Sequence, residues 1–298
     1  MSLYSYQVLE TVIEQGSFVK AAESLGLTPS AISHIISNLE DEYDVKLLLR
    51  GRRGVSLTSA GEKLMPFIRE ICQDDVRLKQ EVDKLHGVDS GIVRIGAFSS
   101  VNQNWVPGML NLFQQEYPNI NVQLYQGGYD DIIRWMETLK LDIGFMSETV
   151  LSDFKVSDDV KFIPLYDDPI VCVAASDALP EYTDSVTLNA IKKENFIMAM
   201  TGYDQDARHL LKRYKLNVPT SYHIQDDGSI LAMVEAGLGI TLMAEMIAEN
   251  CHRDIRILPL EPAEHRTIGL LVREDALPVA ERLKQIICRY LEQEKIYI

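Results

Sequence analysis

Short polar side chains recur along one stretch of the sequence at the spacing of a helix face. They are Ser30, Ser33, His34 and Ser37, which follow the i, i+3, i+4, i+7 rule. Hydroxyl groups let a helix backbone approach the major groove of DNA and hydrogen-bond to phosphates and base edges. Long charged residues, which predominate on ordinary solvated faces, appear only at the end of the stretch, from Glu40 to Glu42. The pattern therefore favours a DNA recognition helix over a solvated face.

Two short helical patterns separated by a turn would position this polar face. The apolar positions are Phe18, Ala21, Ala22 and Leu25 in the first pattern and Ile32, Ile35, Ile36 and Leu39 in the second. Gly26 predicts the end of the first helix, and Thr28 and Pro29 predict the N-cap and first turn of the second. Two helices joined by a tight glycine turn are typical of a helix-turn-helix.

A basic hairpin tip follows the second helix. Arg50, Arg52 and Arg53 lie with two glycines between the strand-like runs 45–49 and 55–58. Such a hairpin is a wing, whose arginines can reach DNA phosphates or a narrow minor groove. The alternative is a basic turn that only keeps the surface soluble.

A heptad pattern begins after the wing. Its first row is Leu64, Ile71, Leu78 and Leu85, and its second row is Ile68, Asp75 and Val82. Ser59 and Glu62 have the spacing of a capping box, and Gly87 and Gly91 mark the exit of one long helix. Pro66 is expected to kink this helix or to delay its start. The narrow apolar stripe predicts a homodimer, and the alternative is a helix that lies on its own chain.

Five motifs in register resemble the N-terminal signature of the LysR-type transcriptional regulators. They are Gly16-Ser17-Phe18, Ala21-Ala22, Ser30-Ala31-Ile32-Ser33, Leu39-Glu40 and Leu57-Thr58-Ser59-Ala60-Gly61. The resemblance covers essentially the whole chain and is strongest up to residue 62. It departs at residues 34–37, where the family usually has Gln and basic residues, and at Asp44, where the family prefers Gly. Asp tolerates a left-handed backbone better than most residues, so the turn can be retained.

The resemblance implies a transcriptional regulator that binds double-stranded promoter DNA. The residues expected to contact DNA are Ser17, Thr28, Pro29, Ser30, Ser33, His34, Ser37, Arg50, Arg52 and Arg53. Family habit further implies homodimers that pair into homotetramers, with RNA polymerase as a further candidate partner.

Residues 91–298 alternate apolar strands with amphipathic helices. Strands are predicted at 93–96, 122–124, 142–145, 170–173, 196–198 and 268–271, and helices at 106–117, 131–139 and 279–292. This order predicts two α/β subdomains that share crossover strands, with a cleft at their junction. By resemblance, they form the periplasmic-binding-protein-like effector domain of the LysR-type regulators.

The predicted fold class is therefore an N-terminal all-α/winged helix-turn-helix, a long linker helix and an α/β periplasmic-binding-protein-like effector domain of two subdomains. The expected domains are the DNA-binding domain at 1–58, the dimerisation helix at 59–88 and the effector-binding domain at 89–298. Subdomain I comprises 91–164 and 268–298, and subdomain II comprises 165–267.

Ligands of open α/β sheets bind at the carboxyl ends of strands, near helix N-termini. Loops at these positions supply the expected effector-binding residues, Ser99, Ser100, Val101, Gly128, Tyr129, Ser147, Thr201, Gly202, Tyr203, Gln225 and Asp226. By resemblance, Ser100, Tyr129 and Thr201 occupy positions that contact effectors. For each hydroxyl the alternative is N-capping of the following helix, and both roles can hold at once. Since no Arg or Lys lies in these loops, we expect a small, weakly charged or neutral polar effector rather than a multiply charged anion.

Charge and composition set further bounds on function. The chain carries a net charge of −15, and residues 1–58 hold five Lys and Arg against seven Asp and Glu, a net of −2. A single DNA-binding module is therefore expected to bind DNA weakly. The length of 298 residues predicts several domains. No leader and no apolar run of membrane-spanning length is found, which predicts a cytoplasmic protein without membrane contact.

The sequence contains no motif that would indicate an enzyme. A Gly-x-Ser-x-Gly elbow, a phosphate-binding Gly-x-x-x-x-Gly-Lys loop and a His-Glu-x-x-His helix are all missing from it. Cys72, Cys172, Cys251 and Cys288 are scattered, which predicts buried free thiols rather than metal ligands or disulfides. No cofactor or metal is expected. The wing and the long helix argue against a plain solute-binding protein.

Overall fold

The computed structural model describes residues 2–51, 54–85, 90–179, 184–200, 205–218, 220–249 and 251–296. The chain divides into two compact units. The first consists of residues 1–89 with the short segment 137–140, and the second consists of residues 90–136 and 141–298. Within the described ranges, no helix is both long enough and apolar enough to cross a membrane.

Three helices begin the first unit. They are α1 (Leu3–Gln15), α2 (Phe18–Leu25) and α3 (Pro29–Tyr43). Gly26 ends α2 in the left-handed conformation, at φ 64°. The Thr28 hydroxyl accepts a 3.2 Å hydrogen bond from the backbone N–H of Ala31, and Pro29 is the first residue of α3. Asp44 ends α3 at φ 51°, in the left-handed region that Asp tolerates. The predicted helix-turn-helix is confirmed.

The wing is shorter than predicted. Its strands are β1 (Leu48–Gly51) and β2 (Gly54–Leu57), which pair antiparallel. The expectation that the first strand begins at residue 45 is wrong, because the backbone there makes other hydrogen bonds. The backbone N–H of Val45 donates to the Glu40 carbonyl, and the hydroxyl and backbone N–H of Thr58 donate to the carbonyls of Lys46 and Leu47.

The buried carboxylate of Glu40 joins α3 to the wing. Its Oε1 accepts hydrogen bonds from the backbone N–H groups of Leu47 (2.8 Å) and Leu48 (3.1 Å), and its Oε2 accepts one from Lys46 Nζ (2.9 Å). Burial raises the pKa of Glu40, but the hydrogen bonds from Lys46, Leu48 and Leu47 outweigh it, and the net pKa is lowered. The charged carboxylate therefore holds the wing at a fixed place beside α3.

The long helix α4 (Ser59–Leu85) follows the wing. Its cap differs from the expected one: the Thr58 hydroxyl, not Ser59, accepts a 2.9 Å hydrogen bond from the backbone N–H of Gly61. A Cβ atom at Gly61 would lie 2.3 Å from the Leu47 carbonyl oxygen, so this close approach requires glycine. Pro66 lies inside α4 and does not delay the start of the helix.

The first part of α4 contributes one face to the core of the first unit. Met65, Ile68 and Cys72 are buried there with the apolar faces of the three N-terminal helices. Ile68 was predicted to belong to a heptad row facing a second helix, and this assignment is wrong because the side chain packs in its own unit. A neighbouring side of α4 exposes large apolar residues, Phe67, Ile71, Leu78 and Val82.

The second unit is an α/β structure. Its strands are β3 (Gly91–Ala97), β4 (Ile120–Gln126), β5 (Ile143–Ser147), β6 (Val160–Ala175), β7 (Val186–Thr187), β8 (Phe196–Ala199), β9 (Thr220–Ile224), β10 (Thr241–Ala244) and β11 (Ile255–Arg273). Its helices are α5 (Ser99–Asn104), α6 (Val106–Glu116), α7 (Tyr129–Glu137), α8 (Glu148–Leu151), α9 (Leu188–Ile191), α10 (Gln205–Arg213), α11 (Asp227–Glu235), α12 (Glu245–Ala248) and α13 (Pro278–Gln293).

Two long antiparallel strands, β6 and β11, connect the parts of this unit. The main sheet has the order β10-β6-β11-β5-β3-β4, with β7 paired to β11, and β8 and β9 form a separate parallel pair. Residues 268–272 of β11 pair with β5, and residues 170–173 of β6 pair with β10. The predicted strands at 170–173 and 268–271 are thus segments of much longer crossover strands. Apolar periodicity missed their length because charged and proline residues interrupt it.

We expect Glu40→Ala to loosen the wing while the fold of the second unit is retained. The substitution leaves the backbone N–H groups of Leu47 and Leu48 without their acceptor, at a cost of about 1–3 kcal/mol. Hydrogen exchange of these two amides, measured in the full chain, should accelerate about tenfold or more. Glu23→Ala, at an exposed glutamate of α2, is the matched control and should leave their exchange unchanged.

The same contact should depend on pH. The folded-state pKa of Glu40 lies below its ordinary value of 4.5. The stabilisation that the charged carboxylate gives to the wing is therefore complete above pH 4.5 and is lost as the pH falls through the lowered pKa. Equal exchange rates in the Glu40→Ala and Glu23→Ala variants would show that the carboxylate does not anchor the wing.

Candidate functional site

The polar face of α3 and the base of the wing form one open groove. It is lined by Phe18, Pro29, Ser30, Ser33, His34, Ser37 and Arg50, and is called the α3 groove below. The structure thus brings together the predicted recognition serines, His34 and the first wing arginine. Asn38, one turn beyond His34, contacts the His34 ring at 3.1 Å and is a polar neighbour that the sequence pattern did not indicate.

Arg50 is held against the α3 groove by two contacts. Its Nη2 donates a 3.1 Å hydrogen bond to Ser33 Oγ, and its guanidinium carbon lies 4.4 Å from the centre of the Phe18 ring. A cation–π contact at an exposed position contributes about 0.5–1 kcal/mol. The bond to Ser33 uses one of the five N–H donors of a guanidinium, so others can reach an anionic oxygen.

Ser17 and Thr28 have a different position from the other expected DNA-binding residues. Neither lines the α3 groove. Ser17 caps α2, where its hydroxyl accepts from the backbone N–H of Lys20 at 3.5 Å, and Thr28 caps α3. Arg52 and Arg53 lie outside the described residues.

A cavity of about 430 Å³ lies in the second unit, a size typical of small-molecule sites. Its wall includes the expected effector-binding residues Ser99, Ser100, Gly128, Tyr129, Gln225 and Asp226. The segments after β3, β4 and β9, up to the first residues of α5, α7 and α11, supply these residues, as predicted for the carboxyl ends of parallel strands. The cavity is called the ligand cavity below.

Two expected residues do not line the ligand cavity. The Val101 side chain is fully buried in the core, and Ser147 is fully buried and donates a 2.6 Å hydrogen bond to Asp206 Oδ1. N-capping, the alternative for each hydroxyl, is not observed for Ser147. Asp226, which has no hydroxyl, caps α11. Thr201, Gly202 and Tyr203 lie outside the described residues.

Arg266 of β11 also lies in the wall of the ligand cavity, although it is not among the residues predicted from the loops. Its Nε and Nη2 donate to Asp168 Oδ2 at 3.0 and 2.7 Å, its Nη2 donates to Ser100 Oγ at 2.8 Å, and its Nη1 donates to Tyr129 Oη at 3.2 Å. The loops contain no Arg or Lys, but the cavity wall does contain a basic residue, which β11 supplies. A single arginine at the start of an apolar strand pattern, Arg266 before residues 267–272, was the available signal.

Asp206 of α10 contacts both Tyr129 and Arg266. Its Oδ2 accepts a 2.6 Å hydrogen bond from Tyr129 Oη and lies 3.6 Å from Arg266 Nη1. Burial and the charge of Asp206 raise the pKa of Tyr129, so the phenol stays protonated and can donate. Burial alone would lower the pKa of Arg266, but Tyr129, Asp168 and Asp206 raise it above its ordinary value. These side chains form a buried polar network beside the ligand cavity.

The four cysteines are free thiols, as predicted, but only Cys72 and Cys172 are buried, and Cys251 and Cys288 are half-buried. Burial raises the pKa of Cys72 and of Cys172 to about 12, so neither forms the reactive thiolate at neutral pH. No cysteine is among the residues that line the ligand cavity. In the part of the chain that the structure describes, no group of three or more His, Cys, Asp and Glu is placed to hold a metal ion.

Sequence comparison identifies two domains of one family. The profile of the LysR substrate binding domain matches residues 86–290, and that of the bacterial regulatory helix-turn-helix protein, lysR family, matches residues 3–62. The chain belongs to the LysR family. It is a DNA-binding transcriptional regulator with an effector-binding domain and not an enzyme.

Individual relatives share this organisation over nearly their whole length. The uncharacterized HTH-type transcriptional regulator YvbU of Bacillus subtilis is 26% identical, over 91% of this chain and 92% of its own. A full-length OxyR variant from Pseudomonas aeruginosa superposes with a TM-score of 0.81 at 18% identity, covering 98% of this chain and 95% of its own. Full-length CbnR, solved with its target DNA, has a TM-score of 0.64 at 17% identity, covering 97% of this chain and 100% of its own. These structures confirm the predicted fold class.

We expect Arg266→Gln to destabilise the second unit strongly. The substitution leaves Asp168 as a buried charge without its partner, which costs about 3–5 kcal/mol and should lower the melting temperature by roughly 10 °C. Adding Asp168→Asn removes the stranded charge, so the double variant should recover part of the loss.

Arg289→Gln is the matched control for this experiment. Arg289 pairs with Glu116 at the surface, where its side chain is 42% exposed, and its loss should cost less than about 1 kcal/mol. Scanning calorimetry of the full chain gives both values. If Arg266→Gln melts like Arg289→Gln, the buried network does not stabilise the unit.

Proposed function

We propose that this regulator binds duplex promoter DNA through the α3 groove and the wing, as a dimer joined along α4. In the proposed division, residues 1–58 bind DNA, 59–88 form the linker helix, and 89–298 bind an effector between subdomain I (91–164 and 268–298) and subdomain II (165–267). Because its target is chromosomal DNA, the regulator acts in the cytoplasm. The single observation that carries the proposal is the alignment of the α3 serines with Arg50 along one open groove.

The groove supplies the contacts that a recognition helix needs. Ser30, Ser33 and Ser37 present short side chains, so the backbone of α3 can enter the major groove and the hydroxyls can meet base edges or phosphates. Arg50, held by Ser33 and Phe18, faces the same groove with donors suited to a phosphate. Since residues 1–58 carry a net charge of −2, few such contacts must provide the affinity, and two modules are required.

Exposed apolar side chains on α4 support the dimer. Phe67 and Leu78 are 63% and 64% exposed, and Ile71 and Val82 are 45% and 43% exposed. The spacing of these residues, i, i+4, i+11 and i+15, places them along one side of the helix. A stripe of large apolar residues in water is unfavourable, and a second copy of α4 would cover it. Pairing of dimers into tetramers and contact with RNA polymerase rest on the family resemblance alone.

The ligand cavity and the buried network support regulation by a small molecule. Ser100 and Tyr129 line the cavity and also bond to Arg266, which is held by Asp168 of the crossover strand β6. A ligand that contacts these loops can favour one arrangement of the unit over another. It changes DNA binding only if it binds the two arrangements with unequal affinity.

We expect Arg50→Ala to weaken binding of the full chain to a DNA fragment selected with the wild-type protein. Loss of an arginine that contacts DNA costs about 1–3 kcal/mol, which is roughly tenfold or more in affinity, and lowers the salt dependence. Gel shifts over a series of salt concentrations measure both effects. Arg289→Ala removes the same charge from the surface of the second unit and is the control. An Arg50→Ala variant with the affinity of that control would exclude the proposed groove.

We expect Leu78→Asp to convert the dimer to monomers. A carboxylate in the apolar stripe would have to be buried against the partner helix, which is unfavourable by several kcal/mol. Light scattering of the full chain gives the mass, and the same sample should lose affinity for a two-half-site fragment. Leu238→Asp, at an exposed leucine of the second unit, is the matched control. Unchanged mass after Leu78→Asp would place the dimer contact elsewhere.

A further inference from the structure

The charges around the ligand cavity are unevenly distributed. Among the described residues of its wall, three carboxylates, Asp131, Asp226 and Asp227, face one guanidinium, that of Arg266. The consequence for a ligand depends on which of these groups are already satisfied by the protein.

Most of the hydrogen-bonding capacity of Arg266 is used within the protein. Four of its five N–H donors bond to Asp168, Ser100 and Tyr129, and the remaining N–H is on Nη1, which lies 3.6 Å from the Asp206 carboxylate oxygen Oδ2. Two carboxylates thus balance its charge. A carboxylate or phosphate ligand would have to break the buried network to pair with this arginine.

Two of the helix N-termini at the cavity, those of α7 and α11, already carry carboxylates of the protein itself. Asp131 Oδ2 accepts the Gly128 N–H at 3.4 Å at the start of α7, and Asp131 also pairs with Arg134. Asp226 Oδ2 accepts the Ser229 N–H at 2.7 Å at the start of α11. Each carboxylate therefore satisfies one backbone N–H and places a negative charge where an anionic ligand would otherwise bind.

Asp227 is the carboxylate least compensated by its surroundings. Burial raises its pKa above the ordinary value; Asp226 acts in the same direction, and Arg266 and Ser99 act in the opposite one. Asp227 also lines a second, smaller cavity of about 40 Å³. Arg266 and Ile247 belong to the walls of both cavities, and most other side chains in the wall of the smaller one are aliphatic. A positive group beside Asp227 would stabilise its ionised form, and a short hydrocarbon chain would fit the aliphatic side.

We propose that the ligand cavity takes a small organic cation, with one or more amine or guanidine groups on a short aliphatic chain. The inference rests on the proposed function of this cavity as the effector site, and it names the chemical class of the effector. It replaces the expectation from the loops of a neutral or weakly charged molecule. Asp227 and Asp226 receive the positive group, and Ile247 borders the hydrocarbon part.

Three compounds with the same four-carbon chain and different charge test this proposal. They are 1,4-diaminobutane, 1,4-butanediol and succinate, titrated into the full-length protein by calorimetry. The diamine should bind at least about tenfold more tightly than the diol, and succinate should not bind. Asp227→Asn should weaken diamine binding about tenfold, and Asp226→Asn, whose amide oxygen can still cap α11, should weaken it as well. Asp158→Asn, an equal charge change at an exposed residue outside the cavity wall, should have no effect.

Several outcomes overturn the charge assignment. The first is tighter binding of succinate than of the diamine, and the second is an equal loss of diamine affinity in the Asp227→Asn and Asp158→Asn variants. The third is that none of the three compounds binds at about 10 mM. Gel shifts with the same compounds separate this inference from the proposed function. If succinate alters DNA binding, the effector site stands and the cation assignment fails. If the diamine binds through Asp227 and DNA binding is unchanged, the cation assignment stands and the regulatory role of the cavity fails.

Discussion

The second unit depends on one buried ion pair, between Arg266 of β11 and Asp168 of β6. Their side chains are 6% and 0% exposed. Removing two charges from water costs several kcal/mol per ion, and such a pair is tolerated only when further hydrogen bonds satisfy both groups. Ser100, Tyr129 and the backbone N–H of Met246 supply these bonds. The pair therefore fixes the loops after β3 and β4 against the crossover strands, and these loops form the wall of the ligand cavity.

A buried carboxylate has the equivalent role in the first unit. Glu40 collects two backbone N–H groups and the Lys46 ammonium, so the wing begins at a fixed position beside α3. The placement of Arg50 at the α3 groove follows from this anchor together with its contacts to Ser33 and Phe18. In both units, one satisfied buried charge sets the geometry of a surface that is proposed to bind a partner. The cost of leaving either charge unpaired makes the arrangement specific.

Features with a local cause could be predicted from the sequence. The turn at Gly26, the cap at Thr28 and the long helix α4 depend on residues within a few positions of one another, and the structure has them as expected. The exact cap of α4 at Thr58 was missed because two adjacent hydroxyl residues have nearly the same capping potential. Ser99, Ser100 and Tyr129 were found because loops after parallel strands meet at one sheet edge.

Features that depend on distant contacts could not be predicted. Arg266 and Asp168 are separated by 98 residues, and their pairing appears only once β6 and β11 lie side by side. For the same reason, the polarity of the cavity was misjudged from its loops alone. Val101 lies in α5 and Ser147 ends β5, and both side chains are buried, which strand periodicity does not determine.

Dimethyl sulfate footprinting of the full chain on a selected DNA fragment tests the central claim most directly, because it reports contacts at guanine N7 in the major groove. Two α3 helices in one dimer should protect guanines in two half-sites whose centres lie about 10 base pairs, or a multiple of that, apart. Protection in a single half-site, or binding that leaves every major-groove guanine reactive, would contradict the account.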